Sequence, residues 1–137
     1  MERKHYNQEI NMTEALMERI NELISHYPED KRKSALLPVL HEVQDAHENW
    51  LSIELMNKVA EIIQIKPIEV YEVVSFYTMF NQKPIGKYMF EFCQTSPCCL
   101  NGAENLMDYT CEKLGINLGE TTEDGNFTVV GVECLGA

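Results

Sequence analysis

All five cysteines of this chain, Cys93, Cys98, Cys99, Cys111 and Cys134, lie near its C-terminal end, and the first 92 residues hold none. An odd count without a secretory signal argues against a disulfide framework. It argues for metal ligands or redox thiols in a reducing compartment. The opening stretch, Met1-Glu2-Arg3-Lys4-His5-Tyr6, has neither an apolar segment nor Arg/Ser-rich transit character, so no export or organelle signal is expected. A turn-rich boundary, where the residue pattern changes, divides the 137 residues into 1–82, which holds no cysteine, and 83–137, which holds all five.

The first part has helical periodicity. Thr13 and Glu14 form an N-cap and acidic first turn for a stripe of Leu16, Ile20, Leu23 and Ile24, which Pro28 ends. Leu36, Leu40, Val43 and His47 repeat at helical spacing, with Pro38 predicting a start near Ser34 or a kink. Ser52 caps a third helix bearing Leu55, Val59 and Ile62 beside Met56, Ala60 and Ile63. Pro67 opens a fourth, with Val70, Val73, Val74 and Tyr77 inward, and helical character is expected to Phe80. Four short helices with brief connections make a small bundle.

After the turn-rich Asn81-Gln82-Lys83-Pro84-Ile85-Gly86 the pattern changes. Tyr88–Phe92 reads as a buried strand that delivers Cys93 at its end. Gly102 to Leu114 reads as a helix with Ala103, Leu106, Met107, Thr110, Cys111 and Leu114 inward, stopped by Gly115. A turn at Glu123-Asp124-Gly125-Asn126 precedes a strand, Phe127–Val132, that delivers Cys134. If the strands are neighbours, Cys93 and Cys98 (C-x4-C) and Cys134 meet at one sheet edge, as an iron–sulfur cluster needs. The helix N-terminus near Leu100 to Gly102 would add a favourable dipole. A structural zinc remains open at this spacing, and the absent C-x-x-C disfavours a dithiol oxidoreductase. Cys111 shares its stripe with Met107 and Leu114 and reads as an inert packing residue. Cys99 adjoins Cys98 and reads as packing, since neighbouring residues seldom face one ion.

Other classes fare worse. A net charge of −11 repels phosphate backbones and reads as a solvated surface or one that steers towards a basic partner. Helices three and four could mimic a helix-turn-helix, but Glu69 and Glu72 fall where phosphate would lie. No apolar run reaches the roughly 18–20 residues of a membrane span. The seven glycines build no phosphate loop, so nicotinamide and flavin must bind elsewhere. His41-Glu42 and His47 miss the H-E-x-x-H pattern because position 45 is Asp45; a surface or interface role is expected of them. Trp50, Phe76, Tyr77 and Phe80 read as core or partner contacts.

Several segments carry a family resemblance. Cys93-x4-Cys98, Gly119-Glu120-Thr121-Thr122-Glu123-Asp124-Gly125 and Val132-Glu133-Cys134-Leu135-Gly136-Ala137 resemble the 2Fe–2S subunit family of respiratory complex I, NADH:quinone oxidoreductase. His41-Glu42-Val43-Gln44 and Val74-Ser75-Phe76-Tyr77-Thr78-Met79-Phe80 do so too, and the similarity runs from Thr13 onward. The resemblance implies an α+β chain: a small N-terminal helical bundle, then a thioredoxin-like α/β ferredoxin domain, here truncated at its C-terminus. It implies a 2Fe–2S cluster held by Cys93, Cys98 and Cys134, with the fourth cysteine of a C-x3-C pair expected just beyond Ala137. The chain then reads as a fragment of a longer protein or as a truncated product with a crippled site, and a sheet ending at Val132, which leaves an unpaired apolar edge, favours the fragment.

The implied role is a non-catalytic redox subunit of NADH dehydrogenase (quinone), exchanging electrons with the flavin of a flavin- and NADH-binding partner subunit. It binds no nucleic acid, does not insert directly in the membrane, and is cytoplasmic, peripheral to the bacterial inner membrane through its complex. The alternatives are the equivalent subunit of a soluble NAD-linked hydrogenase or formate dehydrogenase, and a zinc-stabilised interaction module.

Overall fold

A computed structural model describes residues 6 and 8–136; the expectation for Met1–His5 and the last residue, Ala137, lie outside them. The chain forms two compact units, one running to Pro84 and the other beginning at Ile85.

The first unit is helical. Helix α1 (Glu14–Ser25) starts where Thr13 Oγ1 accepts the Leu16 N–H at 3.2 Å, and buries Leu16, Ile20, Leu23 and Ile24. A 3-10 stretch, Glu29–Ala35, leads into α2 (Leu36–Ala46). Pro38 falls in the first turn of α2, where its missing N–H has no intrahelical acceptor, so it causes no kink. Helix α3 (Ile53–Ile63) is capped by Ser52, whose Oγ accepts the Leu55 N–H at 3.1 Å. It buries Leu55, Met56, Val59, Ala60 and Ile63, while Ile62 is only half-buried, turning the apolar face slightly from the expected stripe.

Helix α4 (Pro67–Phe76) begins with Glu69 accepting the Lys66 N–H at 2.9 Å and the Lys33 ammonium at 2.6 Å. It buries Val70 and Val74 but ends at Phe76, four residues short of expectation. There the chain turns extended at Tyr77, and Gln44 of α2 takes over the backbone that follows. Its amide donates to the Met79 carbonyl at 3.1 Å and accepts the Asn81 N–H at 2.8 Å. Val73 is therefore half-buried and Tyr77 exposed, while Phe80 folds back into the core.

The second unit is a βαβ arrangement. Strands β1 (Tyr88–Cys93) and β2 (Phe127–Val132) pair in parallel, from Tyr88 opposite Phe127 to Cys93 opposite Val132. Two helices, α5 (Ser96–Leu100) and α6 (Ala103–Leu114), lie between the strands in sequence, as parallel pairing requires a crossover. The chain enters β1 through Gly86, whose N–H donates to the fully buried Thr128 Oγ1 at 2.6 Å. A Cβ there would lie 2.8 Å from the Asn126 and Phe127 backbone, so this close approach requires glycine.

Two expectations about burial fail here. Strand β1 is not buried: Tyr88 and Phe90 are exposed, although their rings stack on Phe127 with centroids 5.7 Å apart. Helix α6 has no buried residue, and Leu106 is 58% exposed. Cys111 is only half-buried. The periodicity correctly marks apolar faces, but a two-stranded sheet among the described residues is too narrow to cover them.

Candidate iron–sulfur centre

Parallel pairing places the ends of β1 and β2 at the same edge, and the ladder continues one step further, with the Gln94 N–H on the Val132 carbonyl at 2.9 Å. Cys93 closes β1. Cys98 follows from the first turns of α5, a short helix where the sequence pattern suggests loop, so the helix nearest the thiols begins at Ser96 rather than near Leu100. Cys134 leaves the end of β2, exposed. The three sequence-predicted thiols thus emerge from one end of a rigid pair of strands.

The Cys93 sulfur lies 2.9 Å from Thr95 Oγ1. The Thr95 hydroxyl and N–H, with Cys98, hold the Cys93 thiol down to about 7. Cys98 is pushed up in turn, first by the bond to Cys93 and then by burial. Cys134 Sγ accepts the Gly136 N–H at 3.4 Å.

The remaining thiols stand apart. Burial and then the Glu104 carboxylate push Cys99 up. Cys111 sits within α6. Cysteine spacing gives no sign of the sulfur donors Thr95 and Gly136. A hydroxyl residue two places after a strand-end cysteine is the signal that could have found the first of them.

The chemistry of this donor set can be tested against a two-iron cluster. Such a cluster takes four thiolates, two on each iron, and its sulfurs are commonly hydrogen-bonded by backbone N–H groups. Cys93 ends one strand, Cys98 lies on the short helix after it, Cys134 follows the other strand, and the Gly136 N–H faces the Cys134 sulfur. Among the described residues no three His, Cys, Asp or Glu side chains form a group that could hold a metal ion. In residue type and in their common end of the sheet, the three thiols fit the chemistry of a 2Fe–2S cluster.

Known proteins identify the family. The family model for thioredoxin-like [2Fe-2S] ferredoxin matches residues 20–137. The chain belongs to this family. It is 44% identical to an NADH-quinone oxidoreductase subunit of Rickettsia conorii, over 85% of this chain and 70% of that one. It is 42% identical to the mitochondrial NADH dehydrogenase [ubiquinone] flavoprotein 2 of Dictyostelium discoideum, over 93% of this chain. The chain spans about half the length of that relative (51%). The solved structure of an NAD+-reducing [NiFe]-hydrogenase in its H2-reduced state superposes with a TM-score of 0.61 at 24% identity. It covers 72% of this chain and 16% of that one, and it shows the fold alone. This ferredoxin family carries a 2Fe–2S cluster, and the mixed helix-and-strand fold accords with it.

Two of the described histidines have partners within the helical unit. His47 is buried, its Nδ1–H donating to the Val43 carbonyl at 2.8 Å while its Nε2 accepts the Asn11 N–H at 3.1 Å. It is a structural tie within the helical unit, not the surface or interface group expected. His41 lies against Phe80 with ring centroids 4.9 Å apart.

Proposed function

We propose that this chain is the electron-transfer subunit of an NADH:quinone oxidoreductase, with Cys93, Cys98 and Cys134 as three cluster ligands. The observation that carries this reading is that Cys93, Cys98 and Cys134 leave the same end of β1 and β2, in a chain 44% identical to a protein named as part of that complex. A bound 2Fe–2S cluster supplies a one-electron carrier.

The chain's own residues hold and shield that carrier. Cys93 and Cys98 form one ligand pair on a strand end and a short helix, so their separation is fixed by backbone hydrogen bonds. The Thr95 hydroxyl and the Gly136 N–H offset negative charge on the sulfurs. The partner is the flavin- and NADH-binding subunit of the same complex. The helical unit docks the chain to that complex, and its exposed Phe76, stacked edge-on against Tyr77 at 5.1 Å, offers an apolar contact. Among the described residues no helix is long and apolar enough to cross a membrane, in keeping with a chain held at the membrane's cytoplasmic side through its complex.

The test is spectroscopic. The full chain, expressed without oxygen, is expected to purify brown, with two irons per chain and a paramagnetic signal on reduction. Cys93→Ser, Cys98→Ser and Cys134→Ser should each bleach it, whereas Cys99→Ser and Cys111→Ser should not. A folded, colourless, iron-free wild-type chain refutes the proposal.

A further inference from the structure

Among the described residues three helices start after a hydroxyl residue, and one of them uses it differently. Thr13 and Ser52 accept an N–H three residues on, at 3.2 and 3.1 Å, as N-cap side chains do. Thr95 occupies the same position before α5 with extended backbone, yet its side chain makes no capping bond. Its hydroxyl lies instead 2.9 Å from Cys93 Sγ. In a free thiol either group could donate. As a metal ligand the sulfur carries no proton, and the direction is then fixed, from Thr95 O–H to sulfur.

We propose that Thr95 is a positioning residue that sets the reduction potential of the bound cluster through this hydrogen bond to Cys93. The inference rests on the cluster reading above. Reduction adds one negative charge, shared in part by the ligand sulfurs. A hydroxyl dipole aimed at Cys93 Sγ stabilises the reduced state more than the oxidised one, and so raises the potential. The backbone stays in place when the side chain changes, so the hydroxyl can be removed alone.

The experiment compares the full chain, isolated with its cluster, as wild type, Thr95→Val, Thr95→Ala and Thr95→Ser. Iron content, visible absorption and midpoint potential are measured for each. Thr95→Val and Thr95→Ala should keep two irons while their one-electron equilibrium shifts about tenfold towards the oxidised form, about 59 mV. Thr95→Ser should keep the wild-type potential. Full clusters at the wild-type potential in Thr95→Val or Thr95→Ala overturn the proposal, as does a Thr95→Ser potential as low as theirs. Loss of the cluster from both Thr95→Val and Thr95→Ala, with retention in Thr95→Ser, also overturns it, because the hydroxyl then holds the cluster rather than tuning it. A folded wild-type chain that takes up no iron counts instead against the cluster reading.

Discussion

Replacing Gln44 by methionine changes the volume of a buried side chain very little but removes both hydrogen bonds that fasten α2 to the chain after α4. Gln44 is 6% exposed, and its partners are backbone groups flanking the buried Phe80. Leaving a buried backbone donor or acceptor without its partner costs about 1–3 kcal/mol. Met79 is 47% exposed, so its carbonyl can find water, and the lower end of that range applies. Two such losses come to about 2 kcal/mol. Unfolding by urea with a slope of about 1–2 kcal/mol/M then brings the midpoint down by about 1–2 M. Trp50 is the only tryptophan of the chain and is buried in the same unit, so its fluorescence reports this transition. Gln44→Glu, which keeps an acceptor for the Asn81 N–H and loses the donor, should fall between Gln44→Met and wild type. An unchanged midpoint in Gln44→Met refutes the idea that this amide anchors the segment.

Two further outcomes follow from the second unit. Gly86→Ala places a methyl 2.8 Å from the Asn126 and Phe127 backbone, an overpacking cost of about 1–3 kcal/mol, and amide hydrogen exchange in β2 should accelerate about tenfold or more; unchanged exchange contradicts the close approach. In the cluster-free chain the Cys93 thiol, lowered to about 7, is mostly protonated below neutrality and mostly thiolate above it. Alkylation mapped by mass spectrometry should therefore rise through pH 7 at Cys93, while Cys98 and Cys99, both shifted upward, respond only at higher pH. Cys98 or Cys99 reacting first would reverse the assignment of donors.

Much of this architecture is legible because its local signals agree with its packing. Thr13 and Ser52 announce helix starts, and Leu16, Ile20, Leu23 and Ile24 keep the period that buries them. Phe127–Val132 is recovered with its own boundaries, since β-branched residues follow a turn that only Asp124, Gly125 and Asn126 types form readily. Failures occur where a distant partner decides. Nothing local tells that Gln44, bonded to Met79 35 residues away, ends the helical run before Tyr77. The apolar stripe of α6 is real, but burial depends on the width of the surface beneath it, a property of the whole sheet.

The centre shows the same division at finer scale. That Cys93, Cys98 and Cys134 converge follows from two strand predictions and one topological condition, parallel adjacency, which the register from Tyr88–Phe127 to Cys93–Val132 meets. What surrounds the sulfurs does not follow from spacing. The Thr95 hydroxyl reaches Cys93 only because α5 begins at Ser96 and its N-cap side chain turns away from the helix it precedes. The Gly136 N–H reaches the Cys134 sulfur only because the chain turns just past the end of β2. Ligand identity is thus written in residue types and spacing, whereas the hydrogen bonds that govern charge on the ligands are written in where the short helix and the second strand stop. A shift of either terminus by one residue would leave the cysteine pattern intact and change the donors, so relatives that share these cysteines need not share the environment of Cys93.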